Sequence, residues 1–279
     1  MEKQNNISQT KWAVILFGGR GSRMGESTHD IPKPLIKIHG KPIMWYKFRT
    51  LYAHGFRNFI LPLGYKGEMV DEYFRRIAAK TDSQVISIDT GLDTSIALRM
   101  YQAIKYIPDN IDFFLLNSDT LFEFDINDMY KLHKKTNALI TLSSVDVVSS
   151  WGLILVKDNE VTGFERQRKI RHLFSNSLKD VEGLVYSGFS WIDKKAINNI
   201  DLQTCGIAEG GRGMETSLFQ SAIDKGCVAH YSINGLWFPI DTPKDLQIIN
   251  MMIDDRHSIG HAAKKYKEKL GLPEKYVNK

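Results

Sequence analysis

The sequence predicts an α/β fold in which helices cover both faces of a mixed, mostly parallel central sheet. Through the first half of the 279-residue chain, short apolar runs alternate with segments whose apolar residues recur at helical spacing. After Trp151 the pattern changes, and a hairpin signal begins a small antiparallel region. A hydrophobic content of 43% is enough for a substantial core, so we expect residues 1–279 to form a single domain.

The apolar periodicity predicts the elements in order. The predicted strands of the first half are 12–17, 58–63, 84–88, 113–116 and 138–145. Helical stripes between them are formed by Met69, Val70, Tyr73, Phe74 and Ile77, and by Ile96, Ala97, Met100, Ala103, Ile104 and Ile107. The second half is predicted to contain a hairpin turning at 158–159, strands at 183–192 and 228–233, a helix at 215–224 and a helix beginning at Pro243.

Composition excludes several classes of protein. The net charge of +5 would suit nucleic acid, but the basic residues are dispersed, with dense clusters only at 166–171 and 264–269, so we expect no nucleic-acid partner. Cys205 and Cys227 are too few for a disulfide framework or a structural zinc site, and reduced thiols favour a cytoplasmic location. No apolar run approaches the roughly 18 residues that span a bilayer, and we expect no membrane partner.

A glycine-rich loop follows the first predicted strand, and its composition suits a polyphosphate. Gly18, Gly19 and Gly21 allow backbone N–H groups to approach phosphate oxygens without a Cβ in the way. Arg23 and Lys33 supply cations to the charge that a phosphoryl transfer displaces. The loop matches neither common template, because Met24 stands where a dinucleotide fingerprint has its third glycine and the GK[ST] ending of a P-loop is absent.

Three motifs occur in order, GGxGxRM, PKPL and GKPI, within residues 18–43, and with them the chain resembles the sugar-1-phosphate nucleotidyltransferases. Segments 54–74 and 88–95 are similar to the glucose-1-phosphate cytidylyltransferase branch. The resemblance implies a Rossmann-like, GT-A-like nucleotidyltransferase fold. It also implies a nucleotide-binding half at about 11–150, an acceptor-binding half at about 151–242, and a C-terminal helix and basic tail at 243–279.

The resemblance also implies roles for residues of the nucleotide-binding half. Arg23 is expected to hold the leaving phosphates through its planar fork, and Lys33, fixed between Pro32 and Pro34, to face the α-phosphate. These two residues are the predicted catalytic groups. The predicted nucleotide-binding residues are Phe17, Gly18, Gly19, Gly21, Ser22, Arg23, Lys33, Thr90, Gly91, Thr94 and Ser118. An alternative for the polar residues of 90–95 is that they cap the following helix.

Two aspartates are the expected ligands of a Mg²⁺ cofactor. Asp119 follows an apolar run, so its carboxylate should emerge at the carboxyl end of a central strand, where α/β folds place ligands. Asp241 follows a second such run and is similar to the family's second metal-binding Asp. Two carboxylates with phosphate oxygens and water form the all-oxygen site that Mg²⁺ prefers. The alternative for Asp241 is to cap the helix that begins at Pro243.

The predicted acceptor-binding residues are Glu165, Arg168, Lys169, Ser187, Gly188 and Glu215. Here the chain departs from the family, whose Glu is followed by Lys and Pro, whereas Glu165 is followed by Arg166 and Gln167. A cation is retained, but a solvated basic loop at 166–171 is the competing interpretation. The departure also opens the prospect of an acceptor that is not a sugar.

The expected function is transfer of CMP from CTP to a phosphate monoester such as a sugar 1-phosphate, with release of pyrophosphate, for a bacterial surface polysaccharide. Alternatives are cytidylyl transfer to phosphocholine or phosphoglutamine, and guanylyl, thymidylyl or uridylyl transfer to a hexose or heptose phosphate. A catalytically silent nucleotide-binding relative is disfavoured because Arg23, Lys33, Asp119 and Asp241 are retained together, and a dinucleotide-binding oxidoreductase because the fingerprint is incomplete. Homo-oligomer formation is a further expectation.

Overall fold

The computed structural model describes residues 11–17, 24, 30–148, 153–157, 159–165, 169–170, 183–199 and 218–253. The strands are β1 (Lys11–Leu16), β2 (Lys37–Ile38), β3 (Lys41–Pro42), β4 (Phe56–Leu63), β5 (Gln84–Asp89), β6 (Asp112–Asn117), β7 (Thr120–Glu123), β8 (Ile140–Val145), β9 (Val147–Val148), β10 (Leu153–Lys157), β11 (Glu160–Glu165), β12 (Lys169–Ile170), β13 (Val185–Asp193), β14 (Val228–Ser232) and β15 (Leu236–Pro239). The α-helices are α1 (Ile43–Ala53), α2 (Gly67–Ala78), α3 (Ile96–Ala103), α4 (Ile126–Thr136), α5 (Gln220–Asp224) and α6 (Pro243–Ile253). Short 3₁₀ turns occupy Lys33–Leu35, Ile104–Tyr106 and Lys194–Asn199.

Seven strands form the central sheet in the order β14-β8-β13-β6-β1-β4-β5. The pairs β6–β1, β1–β4, β4–β5 and β14–β8 are parallel, and β13 runs antiparallel to both of its neighbours. Because the parallel strands end at one edge, the loops that follow β1, β5 and β6 share the edge where α/β folds bind ligands.

Helices cover both faces of this sheet. On one face α1, α2 and α4 bury apolar residues such as Phe48, Phe74 and Met129 against one side of the strands. On the other face α3 and α5 bury residues such as Met100 and Ala222. Alternate residues of the strands serve the two cores, as the twofold period of a strand requires.

A two-stranded ribbon lies outside the central sheet and carries the site. Strand β15 pairs antiparallel with β7, with Pro239 opposite Thr120. Gly235, just before β15, approaches Glu123 so closely that an added Cβ would lie 1.9 Å from the carbonyl oxygen of Glu123. The ribbon therefore requires glycine at that position. A third apolar cluster, which includes Met24, Tyr46, Leu121 and Ile240, packs beside it.

The predicted fold class is confirmed, with five predicted strands of the first half found within two residues of β1, β4, β5, β6 and β8. The hairpin is present as β10 and β11, with Lys157 opposite Glu160. One expectation differs in detail: the strand predicted at 183–192 lies in the central sheet as β13, although it was expected in the small antiparallel region. Among the described residues, no helix is long and apolar enough to span a membrane.

Candidate functional site

A lysine and two aspartates meet at the open end of the ribbon. The Nζ of Lys33 donates a hydrogen bond to Oδ2 of Asp119 at 2.9 Å and to Oδ1 of Asp241 at 2.7 Å. The lysine side chain is 11% exposed, against 32% and 36% for the two carboxylates. The ammonium therefore lies beneath two carboxylates that still reach solvent. We call these three residues the charged corner.

The local sequence holds Lys33 rigidly. Pro32, with φ of −68° and ψ of 147°, leads into the 3₁₀ turn, and Pro34 fixes φ in its first residues. The turn is closed by backbone hydrogen bonds from Leu35 N to the Pro32 carbonyl and from Ile36 N to the Lys33 carbonyl, at 2.8 and 3.1 Å. A lysine on such a segment loses less conformational freedom when it binds a ligand than a lysine in a mobile loop would.

The ribbon brings the two aspartates together. Asp119 lies directly before the first residue of β7 and Asp241 two residues after the last residue of β15, and these two ends of the ribbon are paired. A backbone hydrogen bond from Ile240 N to the Asp119 carbonyl, at 3.0 Å, continues the pairing. Residues far apart in the chain are thus fixed side by side through main-chain geometry.

A capping box at the start of α6 leaves the Asp241 carboxylate available. The backbone N–H of Asp245 donates to Oγ1 of Thr242 at 3.2 Å, so Thr242 caps the helix. In return, Oδ2 of Asp245 accepts hydrogen bonds from the backbone N–H groups of Asp241 and Thr242, at 3.0 and 2.8 Å, and from the Thr242 hydroxyl at 2.8 Å. The capping role considered for Asp241 is filled by Thr242.

The charges of the corner favour an ionised Asp119. Burial opposes ionisation of this carboxyl group, but the charge and hydrogen bond of Lys33, with the charge of Lys47, hold the pKa of Asp119 below its ordinary value. An anionic oxygen donor is therefore ready at this position at neutral pH.

The pair Asp119 and Asp241 suits a magnesium ion. One oxygen of each carboxylate is directed at the same cation, the Lys33 ammonium, so both can be directed at one metal ion. The described part of the chain contains no group of three or more His, Cys, Asp or Glu residues able to hold a metal. The remaining ligands would be phosphate oxygens and waters, as Mg²⁺ commonly retains in sites of this kind.

Lys47 lies behind the charged corner and is buried. Its side chain, on α1, is 1% exposed, and its Nζ donates to the Thr120 carbonyl at 2.5 Å. The Nζ is 5.2 Å from the ring centroid of Phe122 and 5.8 Å from that of Phe189. Burial lowers the pKa of Lys47 to about 7, against the opposing effect of Asp119.

The predicted nucleobase-facing loop is organised by Arg99, which is 3% exposed. The guanidinium donates to the carbonyls of Leu63, Leu92 and Thr94 at 3.0, 2.9 and 3.0 Å, and to Oγ1 of Thr90 at 2.5 Å. These bonds connect the end of β4 to the segment after β5.

The hydroxyl groups of this loop are turned inward. The Thr90 hydroxyl donates to the Leu63 carbonyl at 2.6 Å, and the Thr94 hydroxyl donates to the Thr90 carbonyl. Gly91 adopts a φ of +83°, and the cap of α3 is Ser95, which accepts from Leu98 N at 3.3 Å. The structure thus assigns capping to Ser95, and Gly91 is exposed, with its backbone N–H donating to Oδ1 of Asp89 at 2.9 Å.

The predicted acceptor residues of β13 are also held internally. Ser187 is 2% exposed, and its hydroxyl contacts the Ser143 hydroxyl at 2.5 Å. Gly188 adopts a φ of +83°, and an added Cβ would lie 2.5 Å from Nδ2 of Asn117. Gly188 therefore allows close packing of β13 against the strand that leads to Asp119.

The remaining predicted residues divide into three groups. Phe17 and Ser118 follow the carboxyl ends of β1 and β6. Glu165 and Lys169 are placed by their backbone in β11 and β12. Those that lie outside the described residues are Gly18, Gly19, Gly21, Ser22, Arg23, Arg168 and Glu215.

Sequence reasoning missed Lys47, Arg99 and Asp245. For Asp245 a signal exists, because Thr242 and Asp245 have the spacing of a capping box. For Arg99 and Lys47 a weaker signal exists, because each stands within a helix among apolar residues.

Comparisons with known proteins agree with this architecture. A sequence profile of the family described as "Nucleotidyl transferase" matches residues 12–174. The "Probable glucose-1-phosphate cytidylyltransferase" of Bacillus subtilis is 31% identical over 86% of this chain and 95% of its own length. The glucose-1-phosphate cytidylyltransferase of Salmonella typhimurium is 24% identical over 84% and 92%. The structure of a UDP-glucose pyrophosphorylase from Acinetobacter baumannii superposes with a TM-score of 0.65 at 15% identity, covering 93% of this chain and 98% of its own.

Proposed function

The chain belongs to the nucleotidyl transferase family, and from that membership we propose that it transfers a cytidylyl group from CTP to a sugar 1-phosphate. Two similar proteins are named glucose-1-phosphate cytidylyltransferases, which supports both the base and the class of acceptor. The structural observation that carries the proposal is the charged corner, where the Nζ of Lys33 lies 2.9 Å from Oδ2 of Asp119 and 2.7 Å from Oδ1 of Asp241.

The proposed reaction is an in-line displacement at phosphorus. An oxygen of the acceptor phosphate attacks the α-phosphorus of CTP and forms the new P–O bond. The bond from the α-phosphorus to the bridging oxygen breaks, and that oxygen leaves with the electron pair as pyrophosphate. No covalent enzyme intermediate is required, so positioning and charge neutralisation supply the rate.

The residues of the chain have separate roles in this proposal. Lys33 supplies a fixed cation to the oxygens of the α-phosphate, and Arg23 binds the leaving phosphates. Asp119 and Asp241 would hold Mg²⁺, which when bound neutralises charge on the polyphosphate. The backbone near Gly91 is proposed to face the cytosine.

The product would be a CDP-sugar, an activated building block of the kind that surface polysaccharides require. We place the reaction in the cytoplasm, where nucleoside triphosphates are present, and propose a homo-oligomer. Size-exclusion chromatography with light scattering would test the assembly, and a monomer at working concentration would contradict it.

A second candidate is cytidylyl transfer to a phosphate ester that is not a sugar. The observation that favours it is the replacement of the family's Lys and Pro after Glu165 by Arg166 and Gln167. The esters to be compared are phosphocholine and phosphoglutamine.

The test is a pyrophosphate-release assay over four nucleoside triphosphates. Each is combined with glucose 1-phosphate, mannose 1-phosphate, phosphocholine and phosphoglutamine, with Mg²⁺ or with excess EDTA. We expect turnover with CTP and a sugar 1-phosphate, and none with EDTA. Asp241→Asn serves as the inactive control, because it keeps the shape of the side chain and removes its charge.

The base, the acceptor, the metal and the enzymatic activity itself are each contradicted by a different result of this assay. Turnover with UTP and not with CTP would remove the cytidylyl claim, and turnover only with a non-sugar ester would establish the second candidate instead. Full activity in EDTA would remove the magnesium claim. A purified, folded protein that is silent across the whole panel would remove the enzymatic proposal itself.

A further inference from the structure

Lys47 is an ionisable group placed where folding alone favours an apolar one. Its neighbours in space are the rings of Phe122 and Phe189, and its side chain is 1% exposed. Removing an ammonium from water is costly, and one carbonyl, two aromatic faces and the charge of Asp119 offset only part of the cost, since the pKa of Lys47 is still lowered. Apolar side chains of similar volume in place of buried charges are often neutral or stabilising. The stability of the fold therefore does not account for a lysine at this position.

The atom that Lys47 contacts connects it to the charged corner. Its Nζ donates to the carbonyl of Thr120, the residue directly after Asp119, at 2.5 Å. The Thr120 hydroxyl lies 3.4 Å from Oδ1 of Asp119, and the other oxygen of that carboxylate accepts from Lys33. Thr120 also begins β7, opposite Pro239 of β15. A restraint on Thr120 is thus a restraint on both strands that present the aspartates.

We propose that Lys47 is a positioning residue for the reaction, which holds the Asp119–Thr120 backbone from behind so that the Asp119 carboxylate stays directed into the charged corner. Lys47 acts through the Thr120 carbonyl and touches neither substrate. An N–H donor is present on the nitrogen whether it is an ammonium or an amine, so the restraint does not depend on its protonation. The expected effect of Lys47 on kcat rests on the proposed function. The restraint that Lys47 places on the backbone at Thr120 rests on the fold alone.

Lys47→Met tests the proposal, because methionine fills the same space without a donor. We expect kcat for pyrophosphate release to fall roughly 10- to 100-fold, as for loss of a group that orients a ligating side chain. We expect the KM for CTP to stay within about threefold and the unfolding midpoint to be no lower than that of the wild type. A merely structural lysine would instead lower the midpoint and the activity together.

Lys11→Met is the matched control. Lys11 also donates to a backbone carbonyl, that of His54 at 2.8 Å, but it begins β1 and so lies at the opposite edge of the sheet from Asp119. Its replacement is expected to leave kcat and KM unchanged. Hydrogen–deuterium exchange supplies a readout that needs no turnover: exchange in the peptide covering 118–124 should rise in Lys47→Met and not in Lys11→Met.

Three results would overturn the proposal. They are a Lys47→Met variant with kcat within about threefold of the wild type, an activity loss that follows a lowered midpoint and recovers on cooling, and unchanged exchange at 118–124. If the wild type is inactive across the substrate panel, the proposed function fails, and the exchange measurement alone then decides whether Lys47 restrains this backbone.

Discussion

The charged corner and the loop that follows β5 lie at the same edge of the sheet and use their polar side chains in opposite ways. In the corner, Lys33, Asp119 and Asp241 are directed at one another, and both carboxylates reach solvent. In the loop, the hydroxyls of Thr90 and Thr94 are turned to carbonyl groups of the protein. The corner presents side-chain charge, and the loop keeps its hydroxyls bonded within the protein.

The difference has a physical cause. Charged groups that must bind a charged ligand retain access to it, and neighbouring backbone hydrogen bonds fix their positions. The loop, which we propose faces the base, has a backbone shape that inward-facing hydroxyls and Arg99 hold in place. Side-chain substitutions should therefore affect chemistry in the corner and affinity or stability in the loop.

The largest expected effect is the loss of either carboxylate of the corner. Asp119→Asn and Asp241→Asn should each lower kcat by at least about a thousandfold, or about 4 kcal/mol, because the proposed metal site loses one of its two protein ligands. The measurement is Mg²⁺-dependent pyrophosphate release, with circular dichroism to verify folding. A folded variant with a rate near that of the wild type would show that the charged corner does not need that carboxylate for turnover.

A smaller loss is expected when the support of Asp241 is removed. Asp245→Asn should lower kcat about tenfold, since a neutral amide replaces the carboxylate oxygen that holds the backbone N–H of Asp241. Thr242→Ala is the control, because it removes the helix cap but leaves that contact, and it should cost about 1 kcal/mol of stability with kcat unchanged within about threefold. Equal losses of kcat in the two variants would mean that activity depends on the cap of α6 and not on the contact between Asp245 and the Asp241 N–H.

The loop should respond in affinity and stability. Arg99→Met removes four hydrogen bonds to oxygens of the protein, although the Leu63 carbonyl keeps the two that it accepts from Thr90. We expect about 3 kcal/mol lower stability and a KM for CTP raised about tenfold, with kcat within about threefold. Chemical denaturation and initial rates measure the two effects.

Arg57→Met is the matched control for that substitution. Arg57 donates to the carbonyls of Tyr52 and Phe56, both at 2.9 Å. It stands at the beginning of β4, at the opposite end of the strand from the loops that follow β1, β5 and β6. It should leave the KM for CTP unchanged. If both variants raise KM equally, the effect of Arg99 is general destabilisation.

The sequence predicts much of the corner because its residues carry local signals. Prolines flank Lys33, and Asp119 and Asp241 each end an apolar run, so each residue could be proposed singly. Their meeting depends on the pairing of β7 with β15, and β7, at four residues, is too short to be predicted as a separate strand. The resemblance to the nucleotidyltransferases, which the family profile confirms, supplied that convergence.

The roles of Lys47 and Arg99 could not be predicted, because the sequence does not show which groups their side chains contact. Lys47, on α1, is packed against Phe122 of β7 and Phe189 of β13. The position of Arg99 depends on Gly64, where an added Cβ would lie 2.6 Å from a guanidinium nitrogen. In the sequence each is a cation among the apolar residues of a helix, which indicates burial but not the group that it contacts.

Lys47, behind the charged corner, should also give stability a pH dependence. Because burial lowers the pKa of Lys47 from 10.5 to about 7, the unfolded chain binds a proton between these values that the folded protein has released. Lys47 therefore contributes stability that rises with pH across this window. The unfolding midpoint of Lys47→Met minus that of the wild type should be most positive near about pH 6 and shrink by a few degrees by about pH 10.

A control for that measurement is Lys131→Met. Lys131 is exposed on α4, where it pairs with Asp128 at 3.0 Å. Its replacement therefore removes a lysine that is already in contact with water. The midpoint difference for this variant should stay nearly flat over the same range. A flat difference for Lys47→Met as well would contradict the lowered pKa.

The smallest expected effect is on base selectivity when the Thr90 hydroxyl is removed. This hydroxyl donates to the Leu63 carbonyl at 2.6 Å and accepts from Arg99 at 2.5 Å, so its bonding capacity is largely used within the protein. Thr90→Val should lower stability yet leave the ratio of kcat/KM for CTP to that for UTP within about threefold, and Thr90→Ser should restore stability. A site that recognises a substrate group by hydrogen bonding rejects an analogue without that group by roughly 10⁴-fold in strong cases, so a recognition role for this hydroxyl would change the ratio far more than threefold. A shift of that size would place base recognition on the Thr90 side chain and would contradict its internal role.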